Sequence, residues 1–350
     1  MVELYEFELA KAAEVLAKVV FKLKRGETFL ITCDTESEAR VANAAAAAAH
    51  AVGAKPMVVW IATPPGVGMA ADPALPTESL TGALMGADAW LELNGHYISY
   101  SALQAKVFKE NKKVRHFVPT NMDVDMMVRM VGNVDYPTLD AYVKKLTALT
   151  KAAKRVKVAN QAGTDMTVEN DPKRPFLCLA GYAGPGFHPM GGQIVWSPIF
   201  ESINGVIVYD GSIQHPIGLL KEPVKLHVKK GVVVKIEGGS QAAEFEAWLK
   251  SYNDPQMLKI AHGPTYGCHP GAKLRGINIA EDERVWGCTE WGLGYVSPAY
   301  VPDIPGGIPA ASHTDGICLN CSVWLDDQQI WEKGKPVHPE LAKIAKKLGK

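Results

Sequence analysis

The chain has 350 residues, 47% of them hydrophobic, and its 37 basic and 37 acidic side chains give a formal net charge of zero. Balanced charge without a basic stripe argues against a nucleic-acid partner, and no apolar run approaches the ~20 residues of a membrane span. The first residues alternate in charge where a signal peptide would need a basic start and an apolar core, so we expect a soluble, cytoplasmic protein with no membrane partner.

The first third of the chain alternates between predicted helices and strands. The helices carry apolar residues at helical spacing, and the strands are short apolar runs. Thr35 and Glu38 have capping-box spacing and predict the start of the second helix. In chain order we predict a helix over 7–26, a strand over 27–33, a helix over 35–54, a strand over 56–62, a helix over 78–87, a strand over 89–94, a helix over 101–111, a strand over 115–119 and a helix over 123–132. Such repeated units imply a parallel sheet with helices on both faces.

After a long predicted helix over 136–154 the pattern changes. Short segments rich in Val, Ile and Thr alternate with Gly and Pro turns, and one helix interrupts them. The predicted strand segments are 155–170, 192–200, 205–211 and 224–239, and the helix covers 240–253. Because 350 residues exceed the size of one compact core, we predict an α/β parallel-sheet domain over 1–135 and an α+β domain over 136–350.

The six cysteines are too few and too scattered for a disulfide-stapled domain of this size. We therefore expect reduced thiols. Cys318 and Cys321 have CxxC spacing and could supply half of a four-thiolate zinc site. Cys268 and Cys288 form no second short-spaced pair, however, so this alternative is weaker.

Histidines in the second half of the chain stand beside Gly and Pro, where loop side chains can face a cavity. His188, His262 and His269 occur in such stretches, and each alone could be an ordinary loop histidine. His313 and Asp315 lie two residues apart in an apolar, β-rich segment. If this segment is extended, both side chains point to the same face, as two metal ligands would. The alternative is a hydrogen-bonded histidine and a turn aspartate, because Thr-Asp-Gly is also common in turns.

Four motifs occur in a fixed order: AGTDMTV, GGQIVWSPIFESINGVIVYDG, AHGPTYG and SHTDG. In this order they are similar to the metalloaminopeptidases that include aminopeptidase T, and more similar to the related 2,5-dihydroxypyridine 5,6-dioxygenases. The resemblance covers most of the second half of the chain. It implies that the α+β domain is a metal-binding catalytic domain.

The resemblance to the dioxygenases implies one Fe(II) ion held by His262, His313 and Asp315. It also implies that His188 is the acid/base group and that Ser297 is a catalytic residue, although Ser297 precedes a proline and could equally be a turn residue. Two imidazoles and one carboxylate leave one face of Fe(II) open for substrate and dioxygen.

At other positions this sequence departs from the patterns of the two families. The aminopeptidases have two metals, and their first glutamate falls at Gln193, where a neutral amide supports a second dication poorly. Glu290 is a possible substitute for their second glutamate. The segment 280–295 departs from the dioxygenase pattern, and His96 lies near, but not in register with, the histidine expected in the first domain.

Three functions follow as hypotheses. The first is a mononuclear Fe(II) dioxygenase that cleaves a hydroxylated aromatic or N-heteroaromatic ring, with a small aromatic substrate and dioxygen as partners. The second is a metallopeptidase or other metallohydrolase that uses zinc or cobalt to activate water. The third is a catalytically silent, oligomeric binding protein in which the histidines are structural. The first is favoured because its three ligands are present in family order, and we expect a homo-oligomer.

Overall fold

The computed structural model describes residues 5–350 and divides them into two compact units. The first unit extends to Val134 and also contains Gly181–Gly191, and the second contains Asp135–Ala180 and Gly192–Lys350. The chain therefore enters the second unit, returns to the first for eleven residues and enters the second again. A single boundary between residues 135 and 136 does not describe this path.

Nine α-helices occur within residues 5–350. They are α1 (Glu6–Val15), α2 (Ala39–Ala51), α3 (Thr77–Met85), α4 (Ala102–Glu110), α5 (Val124–Met127), α6 (Tyr136–Ala152), α7 (Ser240–Ser251), α8 (Ile279–Asp282) and α9 (Pro339–Lys347). Short π-helical turns continue α1 and α5, and 3-10 turns cover Gly68–Ala74, Phe200–Ser202 and Pro255–Leu258. None of these helices combines the length and the apolar character needed to cross a membrane.

Twenty strands occur in the same part of the chain. They are β1 (Thr28–Asp34), β2 (Lys55–Ile61), β3 (Ala89–Glu92), β4 (Arg115–Val118), β5 (Arg155–Ala159), β6 (Asp165–Glu169), β7 (Leu177–Leu179), β8 (Gly186–Pro189), β9 (Gln193–Val195), β10 (Asn204–Tyr209), β11 (Ser212–Gln214), β12 (Gly218–Leu219), β13 (Val224–Lys229), β14 (Val232–Glu237), β15 (Ile260–Gly267), β16 (Thr289–Val296), β17 (Ile308–Cys318), β18 (Ser322–Leu325), β19 (Gln328–Glu332) and β20 (Lys335–Pro336).

The first unit contains a five-stranded sheet in the order β2-β1-β3-β4-β8. All of its strand pairs are parallel, as expected for buried apolar strands that alternate with helices. An apolar cluster that includes Leu30, Trp90 and Val107 packs beneath α3 and α4. The edge strand β8 was not predicted. Its four residues carry no apolar run, and it is a strand because it pairs with β4, where Phe117 lies opposite His188.

The start of α2 differs from the capping-box prediction. The N-cap is Glu38, whose carboxylate accepts a hydrogen bond from the backbone N–H of Arg40. Thr35 lies before the helix, and its hydroxyl is hydrogen-bonded to Thr63 at 2.7 Å. The prediction that Thr35 caps the helix is therefore wrong. The turn before the helix is stabilised by Asp34, whose side chain accepts a hydrogen bond from the N–H of Glu36, and the helix starts after Glu38.

The second unit is built on two antiparallel sheets. One has eight strands in the order β14-β13-β10-β6-β5-β18-β19-β20, and the other has seven in the order β12-β11-β17-β16-β15-β9-β7. The predicted fold class, a parallel α/β part followed by an α+β part, is confirmed. Strands β15, β16 and β17 are adjacent in the seven-stranded sheet, and they carry the residues described next.

Candidate metal centre

The ladder of the seven-stranded sheet aligns three positions across three strands. His262 of β15 lies opposite Gly292 of β16, and Gly292 lies opposite Asp315 of β17. His313 is two residues before Asp315 on β17 and lies opposite Gly294. Because residues two apart on a strand share a face, the ladder places the two histidines and the aspartate around one glycine.

The three side chains present their ligand atoms to one another. The Nε2 atoms of His262 and His313 are 3.2 Å apart, and Asp315 Oδ1 lies 3.0 Å from His313 Nε2 and 3.5 Å from His262 Nε2. At bonds of about 2.1 Å, neighbouring ligands of one ion are about 3.0 Å apart in an octahedron and about 3.4 Å apart in a tetrahedron. The triangle therefore fits three ligands of a single metal ion.

Within residues 5–350, this is the one group of three or more His, Cys, Asp or Glu side chains arranged to share a metal ion. The cysteines do not form a competing site in this part of the chain. All six are free, and Cys318 and Cys321 are buried. Burial raises the pKa of the Cys321 thiol to about 12, which opposes the thiolate form that binds metals.

Gly292 provides space beside the ligand atoms of His262 and Asp315. A Cβ atom at this position would lie 2.5 Å from His262 Nε2 and 2.8 Å from Asp315 Oδ1. A glycine within a strand often marks the close approach of a ligand or another group. Here the missing Cβ leaves room for the ligand atoms of His262 and Asp315 on the side of β16.

The backbone sets the tautomer of His313. Its Nδ1 lies 2.9 Å from the carbonyl oxygen of Tyr295, so an N–H at Nδ1 donates to that oxygen and leaves the Nε2 lone pair toward Asp315. Burial alone would lower the pKa of His313, but the Asp315 carboxylate raises it above its ordinary value overall. The ring is thus arranged to share its Nε2 lone pair with a proton or with a metal ion.

The other ring nitrogen of His262 faces Glu290. Its Nδ1 lies 3.3 Å from Glu290 Oε1, and burial lowers the pKa of His262 to about 4. A neutral ring with its proton on Nδ1 directs the Nε2 lone pair at His313 and Asp315. Two such lone pairs beside a carboxylate repel one another, and a cation among them relieves that repulsion.

Asp315 and Glu290 differ in their electrostatics. Burial favours the neutral form of both, but the imidazoles of His313 and His262 lower the pKa of Asp315 well below its ordinary value. Burial, with the neighbouring Asp315 and Glu283 carboxylates, raises the pKa of Glu290 well above its ordinary value. Asp315 therefore supplies the negative charge that faces the two histidines.

Gln193 does not take part in the triangle. Its side chain is buried, and its Nε2 donates to the hydroxyl of Thr265 at 3.4 Å. A neutral amide at the position of the aminopeptidase glutamate adds no negative charge for a second metal ion.

Two further predicted residues lie outside this group. His188 is half-buried on β8 in the first unit, and its Nε2 lies 3.3 Å from the carbonyl oxygen of Pro185. Burial lowers the pKa of His188. Ser297 follows β16, where its hydroxyl accepts from the N–H of Ala299 at 3.3 Å and its carbonyl from the N–H of Tyr300. These contacts are those of a turn residue, and the catalytic role of Ser297 stays a prediction.

The sequence interpretation missed Gly292 and the carbonyl of Tyr295. A signal for the first exists, because Gly292 and Gly294 alternate within the apolar strand segment TEWGLGYV and glycine is otherwise unfavourable there. The second had no signal, because every residue carries a carbonyl and only the ladder shows which one meets His313.

Comparison with known proteins identifies the family of the chain. The family model of 2,5-dihydroxypyridine 5,6-dioxygenase matches residues 12–338, and the chain belongs to this family. The chain is 29% identical over 216 residues to the 2,5-dihydroxypyridine 5,6-dioxygenase of Pseudomonas putida KT2440. The match covers 58% of this chain and 61% of that relative.

Two solved structures share the fold over nearly the whole chain. The 2,5-dihydroxypyridine dioxygenase of Pseudomonas putida KT2440 has a TM-score of 0.79 and 22% identity, and covers 96% of this chain and 99% of its own. AmpT of Thermus thermophilus has a TM-score of 0.67 and 14% identity, and covers 95% of this chain and 100% of its own. The resemblance to both groups, inferred above from four motifs, is confirmed.

The geometry around Gly292 gives a direct test of the metal centre. We expect Gly292→Ala to abolish tight metal binding, because the new methyl group would lie 2.5 Å from His262 Nε2 and 2.8 Å from Asp315 Oδ1 and displace both ligand atoms, and to cost about 1–3 kcal/mol of stability through overpacking. Metal titration of the purified variant measures the first effect and thermal unfolding the second. Gly82→Ala is a matched control, since its added methyl group meets no atom within 4 Å; equal metal affinity in both variants would contradict this placement of the site.

Proposed function

We propose that this chain is a mononuclear non-haem Fe(II) dioxygenase that cleaves the ring of a dihydroxypyridine-like compound. The observation that carries the proposal is the triangle of His262, His313 and Asp315 ligand atoms, with edges of 3.0–3.5 Å. Membership of the 2,5-dihydroxypyridine 5,6-dioxygenase family supports the substrate class and the reaction.

In this proposal His262 and His313 bind the metal through Nε2, and Asp315 binds it through Oδ1. When bound, Fe(II) would supply open coordination positions for the substrate and dioxygen together, as two-histidine-one-carboxylate sites do. Asp315 supplies the one negative charge of the ligand set, and the neutral Gln193 supports a single ion per chain.

His188 is proposed to accept the proton of a substrate hydroxyl. Its burial lowers its pKa, so the ring is neutral and able to accept a proton at neutral pH. Homo-oligomerisation and a cytoplasmic location remain predictions.

The fate of dioxygen tests the proposed reaction. With Fe(II)-loaded protein, 2,5-dihydroxypyridine and ¹⁸O₂, we expect a ring-opened product that contains both labelled atoms. The control is unlabelled dioxygen in H₂¹⁸O, which separates incorporation from dioxygen from later exchange with water. Hydrolysis of a peptide by the same preparation, without consumption of dioxygen, would support the metallohydrolase alternative instead.

A further inference from the structure

Glu290 is a fully buried carboxylic side chain on β16, and the proposed chemistry does not use it. Its Oε1 lies 3.3 Å from His262 Nδ1. Within the described residues, neither of these two buried atoms has a hydrogen-bond partner of regular geometry. A buried polar atom without a partner is costly, so each of the two atoms is the natural partner of the other.

The other oxygen of Glu290 is also held. Oε2 accepts a hydrogen bond from the hydroxyl of Thr265, which lies directly opposite Glu290 in the ladder of β15 and β16. Thr265 in turn accepts from Gln193 Nε2 at 3.4 Å. The Glu290 carboxyl group is therefore held by Thr265 and by a side-chain hydrogen bond with Asp315, and its Oε1 lies beside the Nδ1 edge of the His262 ring.

We propose that Glu290 is a positioning residue that accepts the Nδ1–H of His262 and so holds the His262 Nε2 lone pair toward His313 and Asp315. A neutral imidazole carries one proton, and a partner at Nδ1 leaves Nε2 free to bind a metal. The inference rests on the proposed function for the metal, but the orientation of His262 can be measured without one. In this proposal Glu290 contacts the ligand His262 and does not itself bind the metal.

The first test is the tautomer of His262 in the metal-free full-length protein, read by ¹⁵N NMR of histidine-labelled samples with His262→Gln used for assignment. We expect the proton on Nδ1 in the unaltered protein and in Glu290→Gln, whose amide oxygen still accepts it. In Glu290→Ala we expect a mixture of tautomers. A proton on Nε2 in the unaltered protein would overturn the proposal, even if the alanine variant failed to fold.

The second test is Co(II) affinity of the same proteins. We expect Glu290→Ala to weaken binding by about 10- to 100-fold and Glu290→Gln to recover most of that loss. Thr289→Val is the matched control, because Thr289 is equally buried on the same strand but its hydroxyl contacts Cys321 Sγ at 3.2 Å. If Glu290→Ala binds Co(II) as tightly as the unaltered protein while His313→Ala loses binding, the role of Glu290 is wrong and the proposed metal site stands. If His313→Ala binds Co(II) unchanged, the proposed function is overturned instead. The tautomer of His262 would then still show whether Glu290 accepts its Nδ1–H.

Discussion

Alanine at His262, His313 or Asp315 is expected to remove the bound metal and the activity together. Each side chain supplies one of the three proposed protein ligands, and the remaining two cannot close a triangle whose edges are 3.0–3.5 Å. Loss of one ligand also leaves buried polar groups without a partner. Iron content and turnover of 2,5-dihydroxypyridine, measured side by side on each variant, check the prediction.

His227→Ala is a suitable control for this series. His227 belongs to the same unit, on β13, and pairs with Glu237 rather than with the triangle, so we expect its metal content and turnover to be unchanged. If the alanine variant of His262, His313 or Asp315 retained a full complement of iron and normal turnover, the replaced side chain would not be a ligand.

His188→Ala is expected to keep iron while its turnover falls by about 10²–10⁴, the loss typical of a removed acid/base group. The hydrogen-bonding contacts of His188 are with the backbone of Gly184 and Pro185 rather than with the predicted ligands, so we expect its removal to leave the ligand triangle intact. Iron content and turnover at saturating substrate measure the two effects separately.

The pH profile gives the same variant a second readout. A base must be unprotonated, so turnover falls as pH drops through the pKa of His188, which burial lowers from its ordinary value. We therefore expect the acidic limb of the profile below about pH 6.5 and its absence in His188→Ala. If the variant loses iron, His188 is a ligand; if turnover is unchanged, it is an ordinary loop histidine.

Much of the fold could be predicted because it follows from local patterns. Apolar strands and amphipathic helices alternate between residues 5 and 132, and the structure has a helix or strand at each predicted position. The bounds differ most for the first helix, predicted to end at residue 26, where α1 ends at Val15 and its π-helical continuation at Val20. The strand β8 could not be predicted in this way. It has four residues without a strand pattern, and only its pairing with β4, more than sixty residues earlier, makes it part of the parallel sheet.

The site was predictable to the extent that it depends on spacing. His313 and Asp315 share a face of one strand because they lie two residues apart. The position of His262 depends on irregularities of the ladder, since the register of β15 on β16 shifts on both sides of it. Such bulges move a side chain from one face to another, and no local pattern shows where they fall. Glu290 was considered as a ligand, and only its contact with His262 Nδ1 indicates a different role.

Metal analysis of the protein purified without oxygen tests the central claim most directly. The three ligand atoms and the neutral Gln193 predict one iron per chain, with the iron lost in His313→Ala. Two zinc or cobalt ions per chain, or one iron that persists in His313→Ala, would contradict a mononuclear Fe(II) site at His262, His313 and Asp315.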